Sequence, residues 1–242
     1  MDDAEILEQL ALTWRLCGEL GLADGILNHC SVRLGGQEPG VRLALTPGHL
    51  LANEVRGSDL AIVQFSGSKT SPKEPPPGLM LHGCILQARP DVASVVHLHS
   101  PHATAVSCRT EGVLPLTQTS LEFCYELAYI DYAGPASSFA EASRIATELG
   151  GASCAMLRNH GVIAVGASLP EVFYRAYYLE VACRLQLAAM SSNGAQVIPA
   201  AIAREAAQHL LIHQQQVAPL FWQALARQAL APSIRPLGGH LQ

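Results

Sequence analysis

The feature of this sequence that most constrains its fold is a long helix that begins near residue 168. Ser168-Leu169-Pro170-Glu171 has the form of a capping box with proline at an early helical position. The segment that follows, VFYRAYYLEVACRLQLAAM, therefore predicts a helix of several turns. Because a helix buries its apolar side against another layer of secondary structure, the remaining segments decide which layer that is.

Apolar segments on both sides of this helix predict the other elements. Their spacing predicts helices over residues 4–21, 79–88 and 201–230, and strands over 41–45, 60–65, 93–99, 155–159 and 162–165. Gly25 and the polar NHCS stretch at 28–31 predict a turn, and the Pro- and Gly-rich residues 66–78 predict a surface loop. Since no internal repeat occurs, we expect residues 1–242 to form a single α/β domain, with helices flanking a mixed or largely antiparallel sheet.

Composition excludes several classes of partner. The formal charge is -5 and no cluster of lysine and arginine occurs, so we expect no nucleic-acid partner. No apolar run approaches the roughly 20 residues needed to span a bilayer, and the first residues are acidic where a signal peptide is basic. The seven cysteines are odd in number and form no C-x-x-C pair, which is typical of reduced thiols. We therefore expect a cytoplasmic protein that does not bind membranes.

Two histidines on one predicted strand indicate a metal site. Side chains alternate between the faces of a strand, so His97 and His99 point the same way. Two imidazoles on an otherwise apolar strand then both need a partner for their ring nitrogens. Binding one metal ion through a nitrogen of each ring would satisfy both. His160 is the candidate third ligand, because it lies in an Asn-His-Gly turn between two predicted strands. The alternative for such a pair is core histidines that bind backbone carbonyls.

Several segments resemble the class II aldolase/adducin family. RPDVASVVHLHSPHATAVS (89–107) and LRNHGVIAVG (157–166) are similar to its two metal-binding signatures. The resemblance extends to LNHCSVRL (27–34), LALTPG (43–48), LPLTQ (114–118) and AYIDYAG (128–134), and it is strongest with the adducin-like branch. These segments occur in the family's order, and together they extend the resemblance over nearly the whole chain.

The resemblance implies a fold, an assembly and a metal. The fold is a three-layer α/β/α structure with a central mixed or antiparallel sheet, usually in a homotetramer with active sites at subunit interfaces. The metal is zinc or a similar divalent ion, with Fe(II), manganese and cobalt as alternatives, held by His97, His99 and His160. The residues that would surround a small-molecule substrate are Asn28, His29, Ser31, Arg33 and Thr46. Arg33 has the alternative of a structural or surface ion pair.

The chain departs from the sugar-phosphate aldolases of this family at the position of an acidic residue. Those enzymes carry the acid four residues before the position of His82, where it binds metal or acts as an acid or base, and this chain has Gly78 there. The PPPG stretch at 75–78 also replaces their serine-rich phosphate-binding turn. An imidazole at position 29, beside Arg33 and Thr46, suits a carboxylate or phenol-like oxygen better than a phosphate.

Losing the acid favours decarboxylation over aldol cleavage. Aldol cleavage needs a base for the hydroxyl proton and then an acid, whereas decarboxylation needs an electron sink and a later proton donor. The candidate donors are His82, Tyr125, Tyr129, Tyr132 and a bound water, and core packing is the alternative for each side chain. We therefore predict a metal-dependent lyase that decarboxylates a non-phosphorylated, hydroxylated and possibly aromatic acid.

Two other functions remain open at this point. Three histidines without a carboxylate would also suit Fe(II) and dioxygen, which would make the protein an oxygenase of a phenolic, oxo or hydroxy acid. A non-catalytic scaffold like adducin is the second alternative. The C-terminal His240 could close over a neighbouring subunit's site or lie exposed, and exposure is the simpler prediction.

Overall fold

The structure is a computed structural model of the chain, and it describes residues 2–36, 39–69, 75–134, 137–191 and 194–229. Part of the predicted loop at 66–78, the last residue of the predicted C-terminal helix and the tail with His240 lie outside these residues. The α-helices are α1 (Asp3–Glu19), α2 (Leu79–Ala88), α3 (Pro101–Ser107), α4 (Gln118–Leu121), α5 (Phe139–Leu149), α6 (Leu169–Met190) and α7 (Ala200–Ala229). Short 3-10 helices cover Ala52–Glu54, Gly57–Asp59 and Gly67–Lys69.

Seven strands form one sheet in the order β3-β2-β1-β4-β7-β6-β5. The strands are β1 (His29–Arg33), β2 (Val41–Leu45), β3 (Ala61–Phe65), β4 (Ser94–Leu98), β5 (Leu127–Ile130), β6 (Cys154–Leu157) and β7 (Gly161–Gly166). Every neighbouring pair is antiparallel except β5 and β6, which are parallel. The sheet is therefore mixed, as the sequence predicted.

Each face of the sheet packs on its own hydrophobic cluster. On β4, Val96 and Leu98 join the cluster under α1, α3 and α6, whereas Val95 joins the cluster under α2 and α5. This alternation follows from the period of two in a strand. The predicted three-layer α/β/α fold is confirmed.

The chain's first and last described helices meet on one face. Trp14 of α1 is buried in the core, and Trp222 of α7 packs against the same cluster. The indole N–H of Trp222 donates a 3.0 Å hydrogen bond to Oγ1 of Thr13. This bond joins segments that are far apart in the sequence. None of the helices in the described part of the chain combines the length and apolar character that crossing a membrane would require.

The sequence-based prediction was wrong at one strand that matters for the site. The polar NHCS stretch was predicted as a turn, but His29 and Ser31 lie in β1, the strand between β2 and β4. Polar side chains can occupy a central strand here because each finds a buried partner. Half of the predicted capping box at the start of α6 is present, since the Ser168 side chain accepts from the backbone N–H of Glu171, whereas the Glu171 carboxylate accepts from the backbone N–H of Ala167 and not of Ser168.

Candidate metal centre

The strand pairing of β1 and β4 places two histidines side by side. His29 is the register partner of His97, and Ser31 is the partner of Val95. Residues paired across a ladder point to the same face, so His29 and Ser31 share the face of Val95, on which α2 packs. His82 of α2 is fully buried beneath this face. The site therefore lies between one end of the sheet and α2.

His97, His99 and His160 bring three ligand nitrogens together. One donor atom from each lies within 4.8 Å of the others. Nε2 of His97 and Nε2 of His99 are 3.0 Å apart. Two nitrogens bound to one ion at about 2.0–2.1 Å lie at most about 4 Å apart. The His97–His99 spacing fits a shared ion, and the most widely spaced pair of the three would have to move closer on binding. The donor set suits a divalent metal that accepts imidazole ligands.

The ring of His97 is oriented by a backbone carbonyl. Its Nδ1 lies 3.0 Å from the carbonyl oxygen of Val162 on the neighbouring strand β7. A carbonyl only accepts, so Nδ1 carries the ring hydrogen and Nε2 keeps its lone pair free. Such a hydrogen bond to a carbonyl is the usual support of a metal-binding histidine.

Asn28 supports His99 from the end of the loop before β1. Its side-chain Oδ1 accepts from the backbone N–H of His99 at 3.2 Å and from that of Asp24 at 2.9 Å. Its Nδ2 lies 3.1 Å from Nδ1 of His99. Asn28 is 1 % exposed and holds the backbone and the ring of His99 in place. Its predicted substrate-binding role stays a prediction.

A strained turn presents His160. Asn159, at φ 60, is the non-glycine residue with positive φ in the described part of the chain. A Cβ atom on Gly161 would lie 2.4 Å from the carbonyl oxygen of Leu98, so only glycine lets β7 start this close to β4. The ring of His160 lies 4.8 Å from that of His97 and 4.9 Å from that of His99, measured between centroids.

A second polar cluster adjoins the three histidines. Oγ of Ser31 is 2.6 Å from Nδ1 of His82, and Nε2 of His82 is 2.8 Å from Nδ1 of His29. The ring centroid of His29 lies 5.1 Å from that of His97. Because His82 has no exposed surface, it reaches a substrate only through His29. The structure thus places His82 behind His29, and its predicted role as a proton donor stays a prediction.

Gly78 makes room for His29. It begins α2 with φ 76, and a Cβ atom there would lie 2.5 Å from Nδ1 and Cε1 of the His29 ring. No side chain at position 78 fits while His29 occupies this space. The imidazole from β1 thus fills the space in which a side chain at position 78 would begin.

Burial keeps the imidazoles of this site neutral. It lowers the pKa of His82 to about 3, and it lowers the pKa of His29 and His97 well below the ordinary value, with neighbouring histidines adding to each shift. Burial also lowers the pKa of His99 and His160. Neutral imidazole is the form that binds a metal ion, so these side chains are ready to bind one at neutral pH.

Thr46 and Arg33 both have partners within the protein. Thr46 has no exposed surface, and its Oγ1 accepts from the backbone N–H of Cys30. The guanidinium of Arg33 donates to the carbonyl oxygens of residues 86, 89 and 92, near the end of α2. These contacts are structural, and the predicted substrate roles of both residues stay predictions.

The three tyrosines differ in their position. The Tyr132 ring lies 6.2 Å from that of His160 and is 58 % exposed, so Tyr132 can reach a bound substrate. The hydroxyl of Tyr129 accepts from the backbone N–H of Val113, and Tyr125 packs against α7 with Arg204 over its ring. Within this chain, Tyr125 is therefore not brought to the three histidines.

One supporting residue was missed by the sequence analysis. The carboxylate of Glu180, on α6, accepts hydrogen bonds from the backbone N–H groups of His102 and Ala103 and from Nδ1 of His102. It thereby caps α3, which begins two residues after His99. No local pattern predicts this contact, because its two sides are 77 and 78 residues apart.

Comparison with known proteins identifies the family. Residues 8–187 match the family model described as the Class II Aldolase and Adducin N-terminal domain. The chain belongs to this family. It is 39 % identical over 202 residues to a Caulobacter vibrioides protein named provisionally as an aldolase class 2 protein, covering 82 % of this chain and 77 % of that one. The resemblance inferred from the sequence motifs is thus confirmed.

Further matches to this chain include an adducin by sequence and two aldolase-family proteins by structure. Rat alpha-adducin is 35 % identical over 192 residues, which cover 77 % of this chain but 26 % of the adducin. The aldolase II superfamily protein from Pseudomonas syringae superposes with a TM-score of 0.81 at 28 % identity, covering 94 % of this chain and 92 % of that one. The L-fuculose 1-phosphate aldolase from Glaciozyma antarctica PI12 has a TM-score of 0.78 at 24 % identity, over 93 % and 90 % of the chains, and supports the fold.

Proposed function

We propose that this protein is a divalent-metal-dependent carbon–carbon lyase that decarboxylates a non-phosphorylated, hydroxylated carboxylic acid. The observation that carries the proposal is the meeting of His97, His99 and His160 at a site where position 78 offers no carboxylate. Family membership supports a metal-dependent lyase of the aldolase type. The missing carboxylate favours the reaction that needs fewer proton transfers.

The chain's own side chains supply binding and proton transfer. His97, His99 and His160 would hold zinc or a similar divalent ion, which when bound acts as a Lewis acid toward the oxygens of the substrate. The ring of His29 lies 5.1 Å from that of His97 and would contact a substrate oxygen there. Tyr132, at the exposed edge beside His160, is the side chain best placed to deliver a proton to carbon after carbon dioxide leaves.

A phosphorylated substrate fits this site poorly. Phosphate is usually bound by arginine, lysine or backbone N–H groups at a helix start. Arg33, the cation predicted for the site, donates three of its five N–H groups to backbone carbonyls. Gly78 is the N-cap of α2, and the His29 ring lies against it. The imidazole therefore covers the start of this helix.

Metal content and carbon dioxide release test the proposal. The protein would be purified without chelators and without air, as wild type, His97→Ala and His49→Ala, a control at an exposed histidine outside the site. We expect near-stoichiometric zinc, manganese or cobalt in the wild type and the control but not in His97→Ala. The wild type and His49→Ala should then release carbon dioxide from members of a panel of hydroxylated aliphatic and aromatic acids, and His97→Ala should not. Bound iron with oxygen consumption would instead establish the oxygenase.

A non-catalytic scaffold is the second candidate, and the adducin matches favour it. Alpha- and beta-adducins of mammals are 31–35 % identical to this chain over most of its length. A wild-type protein that holds no metal under these conditions, and that acts on none of the acids, would establish this function. Retained metal that depends on His97 would exclude it.

We also propose that the chain is one domain and assembles as a homotetramer. Several large apolar side chains are exposed on the single chain, including Leu27, Leu51 and Ile62. Burial of such side chains between subunits would be favourable. Sedimentation equilibrium of the full chain is expected to give four times the chain mass of 25.7 kDa. A monomer would refute the assembly.

A further inference from the structure

Three polar side chains form a hydrogen-bonded row that ends at the candidate metal centre. The row runs from Oγ of Ser31 through both ring nitrogens of His82 to Nδ1 of His29, with separations of 2.6 and 2.8 Å. Ser31 and His82 have no exposed surface, and His29 is 8 % exposed. Water therefore cannot supply the hydrogens of this row, and each must be accounted for by the three side chains.

Counting hydrogens gives one arrangement that satisfies the row. Ser31 has one hydroxyl hydrogen, and the hydrogen bond of that hydroxyl among the described residues is to His82. If His82 carried its hydrogen on Nδ1, the Ser31 hydrogen would be left in a buried place without an acceptor. Donation from Ser31 to Nδ1 avoids this, and the hydrogen of His82 then lies on Nε2, which donates to Nδ1 of His29.

The same count fixes the free nitrogen of His29. A neutral imidazole has one N–H, and Nδ1 of His29 accepts from His82, so the hydrogen lies on Nε2. The ring atoms nearest to the position of a Cβ on Gly78 are Cε1, Nδ1 and Cγ, so the edge with Nε2 is turned away from α2. The ring also lies beside that of His97. The N–H of His29 thus lies on the ring edge away from α2, in a ring that adjoins the three histidines.

We propose that Ser31 and His82 hold His29 as a neutral N–H donor, and that this donor binds an anionic oxygen of the substrate beside the metal-binding histidines. A neutral donor attracts a carboxylate or enolate oxygen without repelling a nearby metal cation. His29 contacts the ligand, whereas Ser31 and His82 are positioning residues. The identity of the ligand rests on the proposed function, but the placement of the hydrogens does not.

Nitrogen NMR of the metal-free protein tests the placement of the hydrogens. Histidine-selective ¹⁵N labelling of the full chain after chelator treatment separates protonated from bare ring nitrogens, and His29→Phe assigns the His29 signals. We expect both His29 and His82 to carry their hydrogen on Nε2 at neutral pH. A bare Nε2 or a doubly protonated ring on His29 would overturn the proposal.

Ser31→Ala separates this role from plain packing. Without the serine hydroxyl, neither hydrogen placement on His82 is fully satisfied, so the ¹⁵N signals of His29 should move toward the average of the two forms. Ser143→Ala is the matched control, because Ser143 lies against Cys84 of α2 and does not contact His82. Signals of His29 that stay unchanged in Ser31→Ala would contradict the positioning role.

Binding of oxalate tests the ligand. Calorimetry on zinc-loaded protein is expected to show about tenfold weaker oxalate binding in His29→Phe, since one hydrogen bond to a charged group is lost. His29→Gln keeps an N–H donor and should recover part of the affinity. Equal affinity of wild type and His29→Phe would overturn the ligand assignment. A wild type that cannot be loaded with zinc would refute the proposed function instead, and the metal-free ¹⁵N result would stand.

Discussion

Gly78 shows how a missing side chain determines the composition of the site. We predict that Gly78→Ala lowers the free energy of unfolding by about 2–4 kcal/mol, because positive φ is strained for alanine and its Cβ would overlap the His29 ring. Gly21→Ala is the matched control, since Gly21 has φ 69 and nothing within 4 Å of its Cβ position. Urea unfolding of both variants measures the difference. Equal losses would mean that the contact with His29 costs nothing.

Asn28 limits how tightly His99 can bind a metal. Its amide nitrogen faces Nδ1 of His99, which places the ring hydrogen on Nε2, the nitrogen nearest to His97. Metal binding at Nε2 requires that hydrogen to move to Nδ1, where the amide opposes it. We predict that Asn28→Asp, which offers an acceptor, raises zinc affinity about tenfold.

Competition with a coloured chelator measures that affinity. Asn53→Asp is the control, because it adds the same charge at an exposed position. An affinity that stays the same or falls in Asn28→Asp would show that His99 does not bind through Nε2.

At this scale the meeting of the three histidines could be predicted from the sequence, but the contacts of most of their neighbours could not. The spacing of two between His97 and His99 depends only on the strand period. The partners of Asn28, Thr46 and Arg33 depend instead on segments that fold against them from far along the chain. The type of residue shows that a buried polar side chain needs a hydrogen-bond partner. It does not show whether the protein or a substrate provides that partner.

Among the elements, α3 depends on a cap from a distant helix. Ser100 at its N-cap makes no side-chain cap hydrogen bond, and the carboxylate of Glu180 takes that role. We predict that Glu180→Ala lowers the free energy of unfolding by about 2 kcal/mol and that Glu180→Gln costs less. Glu148→Ala, at a surface pair with Arg144, should change it by less than about 1 kcal/mol. Urea unfolding measures all three, and equal effects of Glu180→Ala and Glu148→Ala would disprove the cap.

The junction of α4, α6 and α7 should make stability depend on pH. Burial raises the pKa of Glu122, whose carboxylate accepts from Tyr174 and Gln214. The folded protein then holds this proton more tightly than the unfolded chain, so the contribution of Glu122 to stability is fully present below the ordinary glutamate pKa of about 4.3 and is lost as pH rises through the raised pKa. We predict that Glu122→Gln removes this fall in urea unfolding measured across that pH range.

The control for this prediction is Glu126→Gln, at an exposed position of the same segment. It should keep the pH dependence of the wild type. If Glu122→Gln keeps it as well, another group causes the dependence.

The predictability of the elements followed the clarity of their patterns. Helix α2 was predicted at its observed bounds and β2 likewise, because apolar periodicity and flanking Pro or Gly residues marked them. Strand β1 was predicted as a turn because its residues are polar. Those residues form hydrogen bonds with His82 of α2 and not with water. A pattern based on hydrophobicity therefore fails where the buried face of a strand carries the site.

For the whole molecule, the metal should act as a ligand of the folded state alone. His97 lies in β4, His99 directly follows that strand and His160 lies in the turn before β7, so only folding brings them together. We predict that free zinc at about 100 times its Kd raises the free energy of unfolding by about 2.7 kcal/mol and the Tm by roughly 5–10 °C.

Scanning calorimetry with and without zinc measures this shift. His97→Ala should abolish it, and His49→Ala should retain it, because His49 is exposed outside the cluster. The same shift in His97→Ala and wild type would show that zinc binds elsewhere.

The hydrogen bond between Trp222 and Thr13 gives the molecule a built-in optical reporter. The chain has two tryptophans, one in α1 and one in α7, and both pack on the cluster beneath these helices, on the other face of the sheet from His82. Intrinsic fluorescence therefore follows the docking of the C-terminal helix on the N-terminal one. It is expected to be silent to local events among the histidines, so a spectral change on adding metal would report that binding is felt across the sheet.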